Sequence, residues 1–236
     1  MSIDLRWGSR LAMALITLLI AEGSAASDIE DELGAWYMTF FGKQWADSQW
    51  GFQGDIQYRS WDHGDDLEQL LLRGGITFSP QSSDALFTLG VAKITSGEFG
   101  PSRQTQSENR VYQEALLPQQ IGKKLWLRHR FRFEQRWVDG QDFRTRFRYA
   151  LFVTIPLNST FVAEGSWYLS LYDELFVNGQ RHIGGGREVD YYDRNRLYGG
   201  IGYAFSNRTQ VQFGYMQQHS NFFSKGQLQL SLHHRF

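Results

Sequence analysis

The chain has 236 residues, with 24 Lys and Arg against 25 Asp and Glu, and no cysteine. A net charge of −1 leaves no global basic field for nucleic acid, and the missing cysteines exclude disulfides, thiolate metal sites and a cysteine nucleophile. Mean hydropathy is low at −0.44, yet strands that alternate apolar and polar residues can line a membrane barrel at such values.

The N-terminus reads as a secretory signal. Arg6 and Arg10 precede an apolar run over 11–20, and small residues follow over 21–26, which predicts cleavage after Ala26. The run is too short to cross a hydrocarbon core of roughly 30 Å as a helix. Residues 27–236 are then expected to form one exported domain, and no later segment is apolar enough for a transmembrane helix.

Beyond residue 33 the dominant period is two, which means β-strand. Strands are predicted over 34–42, 48–60, 67–79, 85–95, 109–119, 124–138, 143–156, 160–175, 192–205, 208–218 and 226–236. In 50–59, Trp50, Phe52, Ile56 and Tyr58 oppose Gln53, Asp55, Gln57 and Arg59. In 124–138, Leu125, Leu127, Phe131, Phe133 and Trp137 oppose Arg128, Arg130, Arg132, Glu134 and Arg136. In 143–156, Phe143, Phe147, Tyr149 and Leu151 oppose Arg144, Arg146 and Arg148. Short turns alternate with longer polar loops, the sidedness of an outer-membrane barrel. Aromatics near strand ends, among them Trp36, Tyr37, Trp50, Tyr58, Trp137, Tyr203 and Phe205, read as interfacial girdles. The expectation is an all-β antiparallel transmembrane barrel of 10–12 strands with a polar lumen. Twelve is preferred, because two termini on one side need an even number. The missing strand is sought in 27–33 or 172–192. The terminal Phe236 reads as the assembly signal recognised by the barrel-assembly machinery.

Several stretches carry a resemblance: Trp50 to Arg59 (WGFQGDIQYR), Leu70 to Phe78 (LLLRGGITF), 109–137 with its RFRFEQRW, Tyr172 to Asn178 and Asp193 to Tyr203. The chain resembles the bacterial outer-membrane family catalogued as domain of unknown function 2490. That resemblance implies a barrel in the outer membrane and no established activity.

The sharpest constellation is the arginine ladder: Arg128, Arg130, Arg132 and Arg136 beside Arg144, Arg146 and Arg148, joined by Arg73, Arg194 and Arg196. Like charges at cross-strand spacing need acids or bound anions between them. Asp55, Glu134, Glu164 and Glu174 are the expected acidic partners. Two readings stay open: a narrow anion-biased channel, or a plugged structural or ligand-binding barrel filled by its own side chains. The alternative class is an outer-membrane lipid hydrolase or acyltransferase. His233 and Ser231 share the inner face, but no third orienting group stands at a diagnostic spacing. No catalytic residue, metal or cofactor is assigned. Asp62, His63, Asp65 and Asp66 read as a solvated acidic loop and Gly184–Gly185–Gly186 as a flexible one. The expected partners are membrane lipid, the assembly machinery and small anions, and the barrel is expected to be monomeric.

Overall fold

The structure is a computed structural model that describes residues 33–236; the signal segment and 27–32 lie outside the described residues. Eleven strands follow one another: β1 (Gly34–Gln44), β2 (Trp50–Ser60), β3 (Leu67–Phe78), β4 (Leu86–Gly97), β5 (Thr105–Ile121), β6 (Leu125–Val138), β7 (Arg144–Pro156), β8 (Trp167–Asn178), β9 (Tyr192–Ala204), β10 (Thr209–His219) and β11 (Ser224–Arg235). Consecutive strands pair antiparallel, and β1 closes the sheet against β11, so no strand edge is left unpaired. The closing pair is parallel, with Trp36 opposite Gln229 and Phe40 opposite His233.

The preferred count of twelve is therefore corrected to eleven among the described residues. The stretch suspected of hiding another strand is a loop: 179–191 holds a single bridge, His182 to Glu188. Gly184, Gly185 and Gly186 there all take positive φ, a backbone that ends extended pairing.

Period two sets the two faces, and register lines those faces up. Asp55 stands opposite Arg73, Arg110 opposite Arg136, Arg136 opposite Arg144, and Glu174 opposite Arg196. Each pairing joins residues of one phase, so charges from neighbouring strands meet inside. The opposite phase leaves Ile56, Leu89, Val91, Phe131, Phe147, Leu197 and Phe213 exposed on the outer wall. One layer of sheet thus has a polar inside and an apolar outside, the reverse of a water-soluble barrel.

The sorting of loops is weaker than the sequence suggested. One end carries 45–49, 79–85, 122–124, 157–166 and 205–208, and the other 61–66, 98–104, 139–143, 179–191 and 220–223. At the short-turn end 157–166 and 79–85 are exceptions, and at the other end 139–143 and 220–223 are short. Strand β8, expected from 160, begins only at Trp167 because Asn158 organises a wide turn: its Oδ1 accepts from the Trp167 N–H at 2.9 Å and its Nδ2 donates to Gly165 O at 3.0 Å.

The wall is narrow, and inward glycines make room for rings. Tyr168 is buried against Gly202, where a Cβ would overlap its ring, while its hydroxyl donates to Gln210 and accepts from Gln212. Gly202→Ala is expected to cost about 1–3 kcal/mol, the usual range for overpacking. Gly74→Ala, on the open outer wall, is expected to be neutral. Urea titrations of the two variants check this, and equal stability would contradict the assigned packing.

Candidate functional site

The interior is built from β5, β6 and β7, whose alternating sequences place a charged side chain inward at nearly every second position. Glu134 sits at the centre and is 1% exposed. Arg146 Nη2 reaches its Oε2 at 2.7 Å and Arg148 Nη1 its Oε1 at 2.7 Å. Arg110 and Arg132 stand 3.7 and 3.8 Å away. Four guanidinium groups thus converge on one carboxylate.

Other acids bind the surrounding arginines. Glu174 Oε1 takes Arg130 Nη2 at 2.5 Å and Arg148 Nη2 at 2.6 Å. Glu114 takes Arg132 Nε at 2.7 Å, with Arg130 Nε 3.8 Å from it. Asp55 holds Arg73 Nε at 2.9 Å. Glu108 is shared by Arg110 and Arg136, each at 2.5 Å, and Asp193 bridges Arg146 at 2.7 Å and Arg194 at 3.0 Å. Charge-assisted contacts of this kind are short and oriented, and in a low-dielectric interior they fix one arrangement of side chains.

Guanidinium–aromatic stacking extends this network to the opposite wall. Arg59 lies 3.8 Å over the Trp36 ring, and Arg196 4.8 Å from the same ring. Arg196 also lies 4.7 Å from the Phe176 ring, whose neighbours include Arg148 at 4.4 Å. The series runs from β2 through β1, β9 and β8 to β7 and joins the Glu134 cluster. Arg59 donates to Gln57 and Gln69, and Arg196 to Gln218. Ring quadrupoles and amide oxygens therefore hold cations that make no ion pair among the described residues. Against this layer pack Trp36, Met38, Tyr198 and Met216, with Phe40 and Tyr172 at its margin.

The structure places most of the ladder on the inner face, together with Arg73, Arg194, Arg196, Asp55, Glu134 and Glu174. Three expectations are corrected. Glu164 is not a lumen partner: it lies exposed in the wide turn, where its N–H donates to Asn207 Oδ1 at 3.1 Å. Trp36 is not a girdle residue: it is 2% exposed, and its Nε1 donates to Glu68 at 2.9 Å. Nor is the lumen polar throughout, since an apolar cluster occupies its middle. Arg144 is buried in the ladder but makes no ion pair among the described residues, and Arg128 makes none either.

Glu108, Arg110, Asp193 and Glu68 went unassigned in the sequence. Glu108, Arg110, Tyr112 and Glu114 alternate in one phase, and starting the strand at 109 cut off Glu108 alone. His233 faces inward, stacked on Phe40 at 4.7 Å, and no hydrogen bond joins it to Ser231. On the outer wall His129 meets the Tyr149 hydroxyl at 2.9 Å and Gln119 at 3.1 Å, without a nucleophile beside it. In the loop 61–66, Asp62 Oδ1 accepts from the Ser60 hydroxyl and from the N–H groups of Gly64, Asp65 and Asp66. These bonds, the Ser60 one foremost, hold its carboxyl well below the usual carboxylate range.

The profile of one family, described as a protein of unknown function (DUF2490), matches residues 33–229. No curated protein and no solved structure matches the chain.

Proposed function

The chain belongs to the DUF2490 family, whose description carries no activity, and from that premise we propose that it is an outer-membrane barrel whose lumen is closed by its own side chains. The observation that carries this reading is the cross-lumen layer of Glu134, its four arginines and the stacked rings Trp36 and Phe176. A conducting pore needs a hydrated path along its axis, and here salt bridges and apolar side chains occupy the middle. The outer wall supports the membrane setting. Half-exposed Leu, Ile, Val and Phe cover it, and Trp50, Trp137, Trp167 and Tyr203 lie at strand ends, the pattern of a lipid-facing band with aromatic girdles. Phe236 at the end of the last strand fits the assembly signal, and the predicted leader over 1–26 fits export.

The role is structural or ligand-binding, and no geometry among the described residues favours lipid hydrolysis or acyl transfer. The test is fractionation followed by planar-bilayer recording of the folded protein. The barrel is expected in the outer-membrane fraction, heat-modifiable on gels, and silent in the bilayer. Sustained single-channel steps would overturn the closed lumen, and a protein soluble without detergent would overturn the membrane setting. The triple change Arg132→Gln, Arg146→Gln, Arg148→Gln is expected to leave the bilayer silent and lower the unfolding temperature in detergent.

A further inference from the structure

Below the closed layer, toward the short-turn end, the lumen changes character. Arg128 points inward from β6 and is exposed to the lumen, with no hydrogen bond or ion pair among the described residues. Its guanidinium lies 5.0 Å from the Phe152 ring, and that of Arg130 lies 4.9 Å from the same ring. Arg130 spends one nitrogen on Glu174, and its buried Nε makes no hydrogen bond, standing 3.8 Å from Glu114. Across the lumen, β11 presents His233 and Arg235 in the inward phase. Going round the wall, β11 is separated from β6 by four strands one way and five the other. Even so, the two walls are bridged here: the Phe152 ring lies 5.5 Å from the Tyr172 ring, whose hydroxyl donates to Gln229 of β11 at 3.2 Å, and Phe40, stacked on His233, packs against the same cluster as Tyr172. His233 Nε2 is buried without a partner.

Glu114, inward on the neighbouring strand β5, is already held by Arg132 and Arg130. Among the described residues the interior is short of negative charge. Eight buried arginines among them face six buried acids, before Arg128, Arg130 and Arg235 are added. The rim at this end is mixed, with Lys123, Lys124 and Arg208 against Asp47, Asp84 and Glu164. The positive potential therefore lies inside the mouth, where low-dielectric walls focus it.

We propose that this vestibule binds an oxyanion, a phosphate group, which enters from the short-turn mouth. Arg128 and Arg130 would clamp it from one wall, and Arg235 with the His233 Nε2 would clamp it from the other. Guanidinium groups bind phosphate through short, paired, charge-assisted hydrogen bonds. Phe152 and Phe40 flank the site, so a phosphate carrying an apolar tail also finds contact there. The site needs one open mouth and stands apart from whether the lumen conducts.

The experiment is isothermal titration of the folded protein in zwitterionic detergent at low ionic strength. One arm uses inorganic phosphate and the other a short-chain phosphatidic acid below its micelle concentration. One equivalent is expected to bind, and Arg128→Gln and Arg235→Gln are each expected to weaken it about tenfold or more, as loss of a charged hydrogen bond does. The double variant Arg128→Gln, Arg235→Gln removes cations that make no ion pair, so it should fold. Phosphate should raise the unfolding temperature of the parent and leave that of the double variant unmoved. Binding of both probes identifies free phosphate as a sufficient ligand, and binding of phosphatidic acid alone identifies a lipid headgroup. Binding of neither, or binding that survives the double change, overturns the site.

Discussion

Glu134→Gln is expected to cripple the barrel. The change keeps the shape of the side chain and removes its charge. Arg146 and Arg148, each 2.7 Å from it, would then face a neutral amide, with Arg110 and Arg132 close behind. Breaking a buried ion pair from one side costs about 3–5 kcal/mol, a large part of the roughly 5–15 kcal/mol that holds a domain together. A urea titration read by heat-modifiability should show that loss. Adding Arg148→Gln to Glu134→Gln should recover part of it, because the second change removes surplus positive charge. Glu164→Gln, in the exposed turn, should do nothing. If Glu134→Gln unfolds at the same urea concentration as the parent, the cluster does not hold the barrel.

Phe131→Arg is the second large effect. Phe131 projects outward from β6, 48% exposed, with the Tyr149 ring 5.1 Å away. Facing lipid near the midplane, an arginine there costs about 2–4 kcal/mol. The same change on a surface facing water stays within about 0.5 kcal/mol. Folding in lipid vesicles measured against urea separates the two. A variant as stable as its parent would show that this wall does not face hydrocarbon.

Much of the architecture was readable because a single quantity, the phase of alternation, decides it. Arg128 to Arg136 and Arg144 to Arg148 could only share a face, and that face is inside. Asp55 with Arg73, and Glu134 with Arg146, followed from phase plus neighbouring strands. What phase cannot report is how the sheet closes, since closure depends on which distant strands meet. Trp36 and Met38 have the same parity whether they line a lumen or a girdle, and register placed them, opposite Arg59 and Gln57 of β2 and opposite Gln229 and Ser231 of β11. Asp193 was unreadable for another reason. The register shifts between Phe176 and Val177, so Arg194 and Tyr192 oppose consecutive residues and Asp193 is left as the extra one. A bulge re-aims a side chain against the alternation, and here it sends a carboxylate to Arg146. Glu164 failed because a wide turn held by Asn158 looks, in sequence, like the start of a strand.

The parallel β1–β11 seam gives the polypeptide a polarity through the wall. Gly34 begins its strand beside loop 61–66, while Phe236 ends beside the 205–208 turn, with the Arg235 N–H donating to Arg208 O at 2.9 Å. A barrel of purely antiparallel pairs returns both ends of its fold to one end of the cylinder, whereas this fold brings them out at opposite ends, which in the proposed membrane setting are opposite compartments. An epitope placed just ahead of Gly34 and another after Phe236 would be reached by antibodies from different sides of the same vesicle. The slanted hydrogen bonds of a parallel pair hold slightly less firmly than their antiparallel neighbours. The seam that closes the cylinder is therefore also the line along which its amides should first exchange with deuterium.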